Sequence, residues 1–225
     1  MRRFLFPLTV GLIGAAILLA LGTWQMQRLA WKERLLADIA GKISAAPVAL
    51  PANPDPVADR FLPVTVEGRI VGAPLRVLTG RQVLGAGYKV ISALDVAGRR
   101  VLIDRGFLPD GKPLPPTPEG EVVVTGNLHW PDETDSFTPA PEGDLWFARD
   151  VPAMAKVLGT EPVLIVASKI DPREPALDPM PVDTAGIPND HLEYAITWFS
   201  LAAIWMGMTG YWVWRNRART DEADD

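Results

Sequence analysis

Apolar positions in this 225-residue chain fall into two long runs near its ends, with a series of short, partly alternating runs between them. No charged side chain occurs from Phe4 to Trp24 or from Ala195 to Trp214. Each run is about twenty residues, the length that crosses a roughly 30 Å hydrocarbon core as a helix. The pattern predicts one transmembrane helix over 4–24 and a second over 190–214, followed by a tail at 215–225. Arg2 and Arg3 before the first run also fit a cleaved signal peptide, but the run is long for one and Leu19-Ala20-Leu21-Gly22 is a poor cleavage site. Trp198, Trp205, Tyr211, Trp212 and Trp214 place aromatics toward both ends of the second run, as an interfacial belt would.

Past the first run, Trp24, Arg28, Trp31, Leu35 and Ile39 recur at four- and three-residue steps, which extends that helix to about Gly41. Two readings of this stripe stand. It anchors the helix at the headgroups, with long cations snorkelling, or it offers a cationic, aromatic surface to a flat anionic ligand.

Between the helices, residues 45–188 read as one mainly-β domain with room for a single core of about 145 residues. Pro47 to Pro56 suggests an extended linker. Val64 to Ile70, Leu75 to Arg81, Tyr88 to Val96, Arg100 to Leu108, Val122 to His129 and Pro162 to Lys169 read as strands of an antiparallel sheet or small barrel. Asp95 to Arg99 suggests a hairpin connection. Val151 to Leu158, entered from Asp150 with Pro152 in the first turn, is the predicted soluble helix. The fold class is therefore an α+β membrane protein, with two transmembrane helices flanking a mainly antiparallel β soluble domain that carries one short helix.

Composition narrows the chemistry. The chain has no cysteine, which excludes disulfides, thiolate metal sites and covalent c-type haem. Its net charge of -5 argues against nucleic acid as a partner. With two histidines, there is no histidine cluster for zinc or copper, and no glycine-rich phosphate loop or Gly-x-Ser-x-Gly elbow is present. Asp132, Glu133 and Asp135 read as a solvated turn, His129 as a surface or edge residue, and Asp104-Arg105-Gly106 and Arg81 as partly buried ion pairs. No constellation of nucleophile, base and orienting group is visible, so an enzyme is not expected.

Orientation follows from flanking cations. Arg215, Arg217 and Arg219 follow the second run, which predicts a cytoplasmic C-terminus and, with two spans, a cytoplasmic N-terminus too. Arg28, Lys32 and Arg34 then lie on the outer side, against the rule, and need another role.

His191 has a distinctive setting. Pro188, Asn189 and Asp190 make a helix start, with Glu193 completing an Asp-x-x-Glu capping box if Asp190 is the cap. The positive end of the helix dipole disfavours imidazolium and keeps the ring able to ligate a metal. Tyr194 or Ala195, Trp198, Ala202 and Trp205 continue the same face into the bilayer. An imidazole above an apolar groove with arginines nearby suits a haem, and an interfacial histidine with one backbone hydrogen bond suits the same residues. Gly11-x-x-x-Ala15 and Ala203-x-x-x-Gly207 are small-residue pairs that could let the two helices approach.

Four motifs resemble the surfeit locus protein 1 family: Gly22-Thr23-Trp24-Gln25-x-x-Arg28-x-x-Trp31-Lys32, Gly85-x-Gly87-Tyr88-x-Val90, Val101-Leu102-Ile103-Asp104-Arg105-Gly106-Phe107, and Pro188-Asn189-x-His191-Leu192-x-Tyr194-Ala195-x-Thr197-Trp198-Phe199. They occur in the family's order from the first helix to the last. The resemblance implies an assembly factor for haem-copper cytochrome c oxidase, resident in the inner membrane, with both termini cytoplasmic and its main domain periplasmic. It implies that haem a is bound transiently and inserted into the catalytic subunit, with haem a synthase as the donor and lipid as the surrounding medium. His191 is then the axial ligand to the haem iron, with Trp198, Tyr194, Arg28, Trp24 and Trp31 around it. The competing expectation is a scaffold that stabilises a half-built oxidase subunit without touching haem.

Overall fold

A computed structural model describes residues 2–81 and 84–221, with side chains over 5–81 and 84–216. Its elements run α1 (Arg2–Ile43), β1 (Pro63–Arg81), β2 (Gly85–Val96), β3 (Arg99–Pro109), β4 (Val122–His129), β5 (Leu145–Trp146), α2 (Val151–Leu158), β6 (Leu164–Asp171) and α3 (His191–Asp221). They form two compact units: Met1–Asp38 with Ala185–Asp225, and Ile39–Thr184.

The second unit is a barrel. β1 pairs with both β4 and β2, and the order β2-β3-β6-β4-β1 closes on itself, with the two-residue β5 added outside β1. Closure removes the exposed edges that an open sheet would offer to other chains. The pairings are antiparallel except β1–β5 and β3–β6. Two predicted strands, Val64 to Ile70 and Leu75 to Arg81, are one strand of 19 residues. Its residues Pro63–Gly68 pair with β4 and Arg69–Arg81 with β2, and a register shift between Val71 and Leu75 interrupts the second pairing. The β2–β3 hairpin turns through Ala97 and Gly98, both at positive φ, as a type I′ turn requires. The segment expected to be a linker is tied down, because Val48 donates to Pro63 and accepts from Thr65.

Alternation along β3 builds two apolar layers. Val101 and Ile103 join Val64, Leu94, Val124 and Ile165 on one side, while Leu102 joins Ile91, Leu164 and Met154 on the other. α2 covers the second layer. Its start is fixed by Asp150, whose side chain accepts from the Ala153 N–H at 3.0 Å, and its end by Gly159 in the left-handed region.

Charge inside the barrel is paired. Lys89 Nζ lies 3.0 Å from the fully buried Asp104, whose carboxylate also lies 3.8 Å from Arg149. Arg149 is held in turn by Glu133. The buried Arg105 donates through Nε to Glu174 at 3.0 Å and through Nη1 to Ser92 at 3.3 Å. Arg81 pairs with Asp178 at 3.5 Å, but this pair is exposed and not partly buried as expected. Asp132, Glu133 and Asp135 are exposed, as expected, but Glu133 is tied to Arg149. Burial pushes its carboxyl up, but the hydrogen bonds and charge of Arg149 outweigh this and hold it below its ordinary value. His129 is more enclosed than an edge residue. Its ring stacks on Phe61 with centroids 5.4 Å apart, its Nδ1 is buried without a partner, and burial, with the Arg149 and Arg60 charges adding, lowers it to about 4.

Candidate functional site

The first unit is an antiparallel helix pair. Along α1, Gly11, Ala15, Leu18, Gly22, Gln25 and Leu29 are buried or half-buried, as are His191, Ala195, Trp198, Ala202 and Thr209 along α3. Both series step by four and three or by four and seven, so each defines one helix face. The faces meet closely because α1 contributes glycine. A Cβ on Gly22 would sit 2.6 Å from the Phe199 ring, one on Gly14 2.6 Å from Trp205, and one on Gly11 2.3 Å from Thr209. Trp205 Nε1 donates to the Gly11 carbonyl at 2.9 Å. Gly11 and Ala15 therefore pack as the small-residue spacing predicts. Ala203 and Gly207 are exposed, and Ala195 and Ala202 line the seam instead.

Among the described residues, α1 is the one helix long and apolar enough to cross a membrane, which supports membrane association. At 31 residues α3 has the length, but its tryptophans, glycines and threonines make it less apolar. α1 continues to Ile43, two residues past the predicted end. Arg215 lies on α3, whereas the side chains of Arg217 and Arg219 and all of residues 222–225 lie outside the described residues.

His191 is the first residue of α3, and its ring is half-buried. The Asp190 carbonyl accepts the first helical hydrogen bond, from Tyr194 N–H at 3.2 Å. Among the described residues no backbone N–H donates to the Asp190 or Glu193 side chain, so the capping box is not formed. What orients His191 is across the seam. Its Nδ1 lies 2.8 Å from Oε1 of Gln25, which is 8% exposed, and Nε2 has no hydrogen-bond partner among the described residues.

The other candidate residues divide between seam and edge. Trp198 lies on the seam with His191, and its indole Nε1 is buried without an acceptor; Asn189 Oδ1 is buried without a donor. Trp24, Trp31 and Tyr194 are 51%, 49% and 57% exposed. Arg28 is exposed, its guanidinium 4.3 Å from the centroid of the Trp31 ring. Trp24 and Arg28 each precede a seam residue of α1 by one, Tyr194 precedes Ala195 by one, and Trp31 lies seven residues past Trp24, against Arg28. In an antiparallel pair this common offset puts all four on the same edge of the seam. Two apolar hollows of about 400 and 450 Å³ open on that edge further along the pair, sharing Trp205 and Met208. The first is bounded by Phe6, Pro7 and Trp212, the second by Gly14, Leu18 and Ile204.

Chemically, the seam offers a histidine nitrogen with no partner among the described residues and a buried indole donor lacking an acceptor, and its edge offers a cation resting on an indole and apolar hollows. Gln25 received no role from sequence reasoning. Its signal was a lone polar residue in an otherwise small and apolar seam at four- and three-residue spacing.

Comparison with known proteins agrees with the order of the motifs. The model of the SURF1 family matches residues 12–203. Surfeit locus protein 1 of Rattus norvegicus is 32% identical over 210 residues, covering 81% of this chain and 68% of the relative. The human surfeit locus protein 1 is 32% identical over 211 residues, covering 81% and 69%. A SURF1-like protein of Monosiga brevicollis is 34% identical over 219 residues, covering 88% and 82%. A family model that runs from within α1, through the barrel, into α3, together with relatives at this identity, assigns the chain: it belongs to the SURF1 family.

Proposed function

We propose that this protein is a non-catalytic assembly factor for haem-copper cytochrome c oxidase that holds haem a on its helix pair and assists its insertion into the catalytic subunit. The observation that carries the reading is the half-buried His191 imidazole, anchored through Nδ1 on buried Gln25 with Nε2 unpartnered. Haem, when bound, supplies an iron that accepts an imidazole nitrogen and propionates that seek cations. The residues present fit that group. Nε2 of His191 would hold the iron, and the buried Trp198 Nε1, without an acceptor among the described residues, would offer a hydrogen bond. Arg28, held against Trp31, is the cation, and Trp24 and Tyr194 complete an aromatic rim. The apolar hollows beyond them suit a macrocycle and chain too greasy to cross water.

In this reading α1 and α3 both span the inner membrane, with both termini cytoplasmic and the barrel periplasmic. Haem a synthase hands over the haem laterally, and lipid surrounds the pair. One protein imidazole holds less firmly than the full ligand set of an oxidase subunit, so transfer runs toward the subunit. Closure of the barrel and the pairing of its charges leave it the role of docking on that partner.

The test is an absorption spectrum of the detergent-purified full chain from cells that also make haem a. A Soret and alpha band of haem a supports the reading. A well-folded protein without haem would instead identify a scaffold that stabilises the half-built subunit.

A further inference from the structure

We propose that Gln25 is a positioning residue that locks His191 in the one tautomer able to ligate; the inference rests on the haem reading above. A neutral imidazole has one N–H and one lone-pair nitrogen, and the partner of one decides the other. The Gln25 amide oxygen, 2.8 Å from Nδ1, can accept only. The proton therefore sits on Nδ1, and the lone pair is on Nε2, the nitrogen with no partner. Turned over, the amide would donate to Nδ1, place the proton on Nε2 and close the ligating position.

Two further observations make this bond a device rather than a chance contact. Gln25 is buried on the α1 seam, where its neighbours at seam spacing are Gly22 and Leu29, so the amide is the polar group α1 presents at that level. His191 is the first residue of α3, with no preceding helical turn to pack its ring. The Gln25 bond fixes the imidazole in place of that turn. An amide also suits a donor that must release its cargo. A carboxylate here would raise the basicity of the imidazole and tighten the iron bond, and it would bury a charge on an apolar seam.

The experiment uses ¹⁵N-histidine-labelled full chain in detergent micelles, free of haem, with His129 as the internal control. The expected spectrum shows a protonated Nδ1 and a lone-pair Nε2 at His191. In Gln25→Leu the His191 pattern shifts toward the mixed tautomers of free imidazole while His129 stays unchanged. Haemin titrated into Gln25→Leu binds about ten- to a hundredfold more weakly than into wild type. Gln25→Glu, which keeps an acceptor at that place, restores binding and lowers the haem midpoint potential. A protonated Nε2 in the wild type overturns the inference, as does wild-type haemin affinity in Gln25→Leu. Absence of haemin binding in the wild type defeats the haem reading instead, and the haem-free spectrum still decides the polarity of the Gln25–His191 bond.

Discussion

The barrel and the helix pair bury polar side chains in opposite ways. In the barrel, Lys89, Asp104, Arg149, Glu133, Arg105 and Glu174 are all ionisable, and each meets an opposite charge within the same unit. In the helix pair the buried polar groups are uncharged, and they are not all matched: Gln25 reaches His191, but Trp198 Nε1 and Asn189 Oδ1 have no partner. Buried charge is tolerated only when paired, so the barrel's ionic groups are committed to its fold. Unmatched neutral donors and acceptors cost less and remain available to a ligand. Unpaired atoms of the barrel, at His129, Trp146 and Thr160, do not reproduce the arrangement of the helix pair. His129 is stacked on Phe61, and burial with the Arg149 and Arg60 charges keeps its ring neutral.

If the barrel's charges are structural, breaking them should unfold the protein. Asp104→Ala leaves Lys89 and Arg149 facing no common anion and should cost about 3–5 kcal/mol, read as a large drop in the thermal midpoint in detergent. A small drop would mean that the ion cluster is not structural.

The helix pair is held by close approach, so Gly22→Leu, which drives a side chain into Phe199, should cost about 1–3 kcal/mol. Because the chain has no native cysteine, Gly11→Cys with Thr209→Cys gives a clean readout. The double variant should form an intramolecular disulfide, and adding Gly22→Leu should slow its formation. Equal rates would contradict the packed seam.

The pH dependence of the barrel sharpens the contrast. The folded-state value of His129, about 4, lies below its ordinary 6.5, so the neutral ring is favoured on folding. That contribution is fully present above pH 6.5 and is lost as pH falls toward 4. After solvent screening it amounts to about 1–2 kcal/mol. His129→Phe should flatten stability between those pH values, and an unchanged slope would show that another group is responsible. The smallest effect is expected at Arg28, which is exposed. Arg28→Gln should weaken haem retention about two- to fivefold with no change in the thermal midpoint.

The elements were largely legible in the sequence because their signals are local. Val101 to Ile103 alternates between two layers, Asp150 and Gly159 mark the ends of α2, and the apolar run of α1 speaks for itself. Long-range geometry was not legible. Nothing near Val71 announces that two predicted strands are one strand that closes a barrel, and nothing in Asp132-Glu133 foretells Arg149. The candidate site divides along the same line. His191 and Trp198 were visible as one helical face, whereas Gln25 took its role from a neighbour 166 positions away in the chain. The capping box, conditional in sequence on Asp190 being the cap, has no counterpart among the side-chain hydrogen bonds of the described residues.

The most direct measurement uses the fact that the chain has two histidines, one in each region. Haem a content per chain would be determined for wild type, His191→Ala and His129→Ala, each purified in detergent from cells that make haem a. The account predicts that His191→Ala loses the haem and that His129→Ala keeps it. Loss in His129→Ala with retention in His191→Ala would place the site in the barrel and contradict the account.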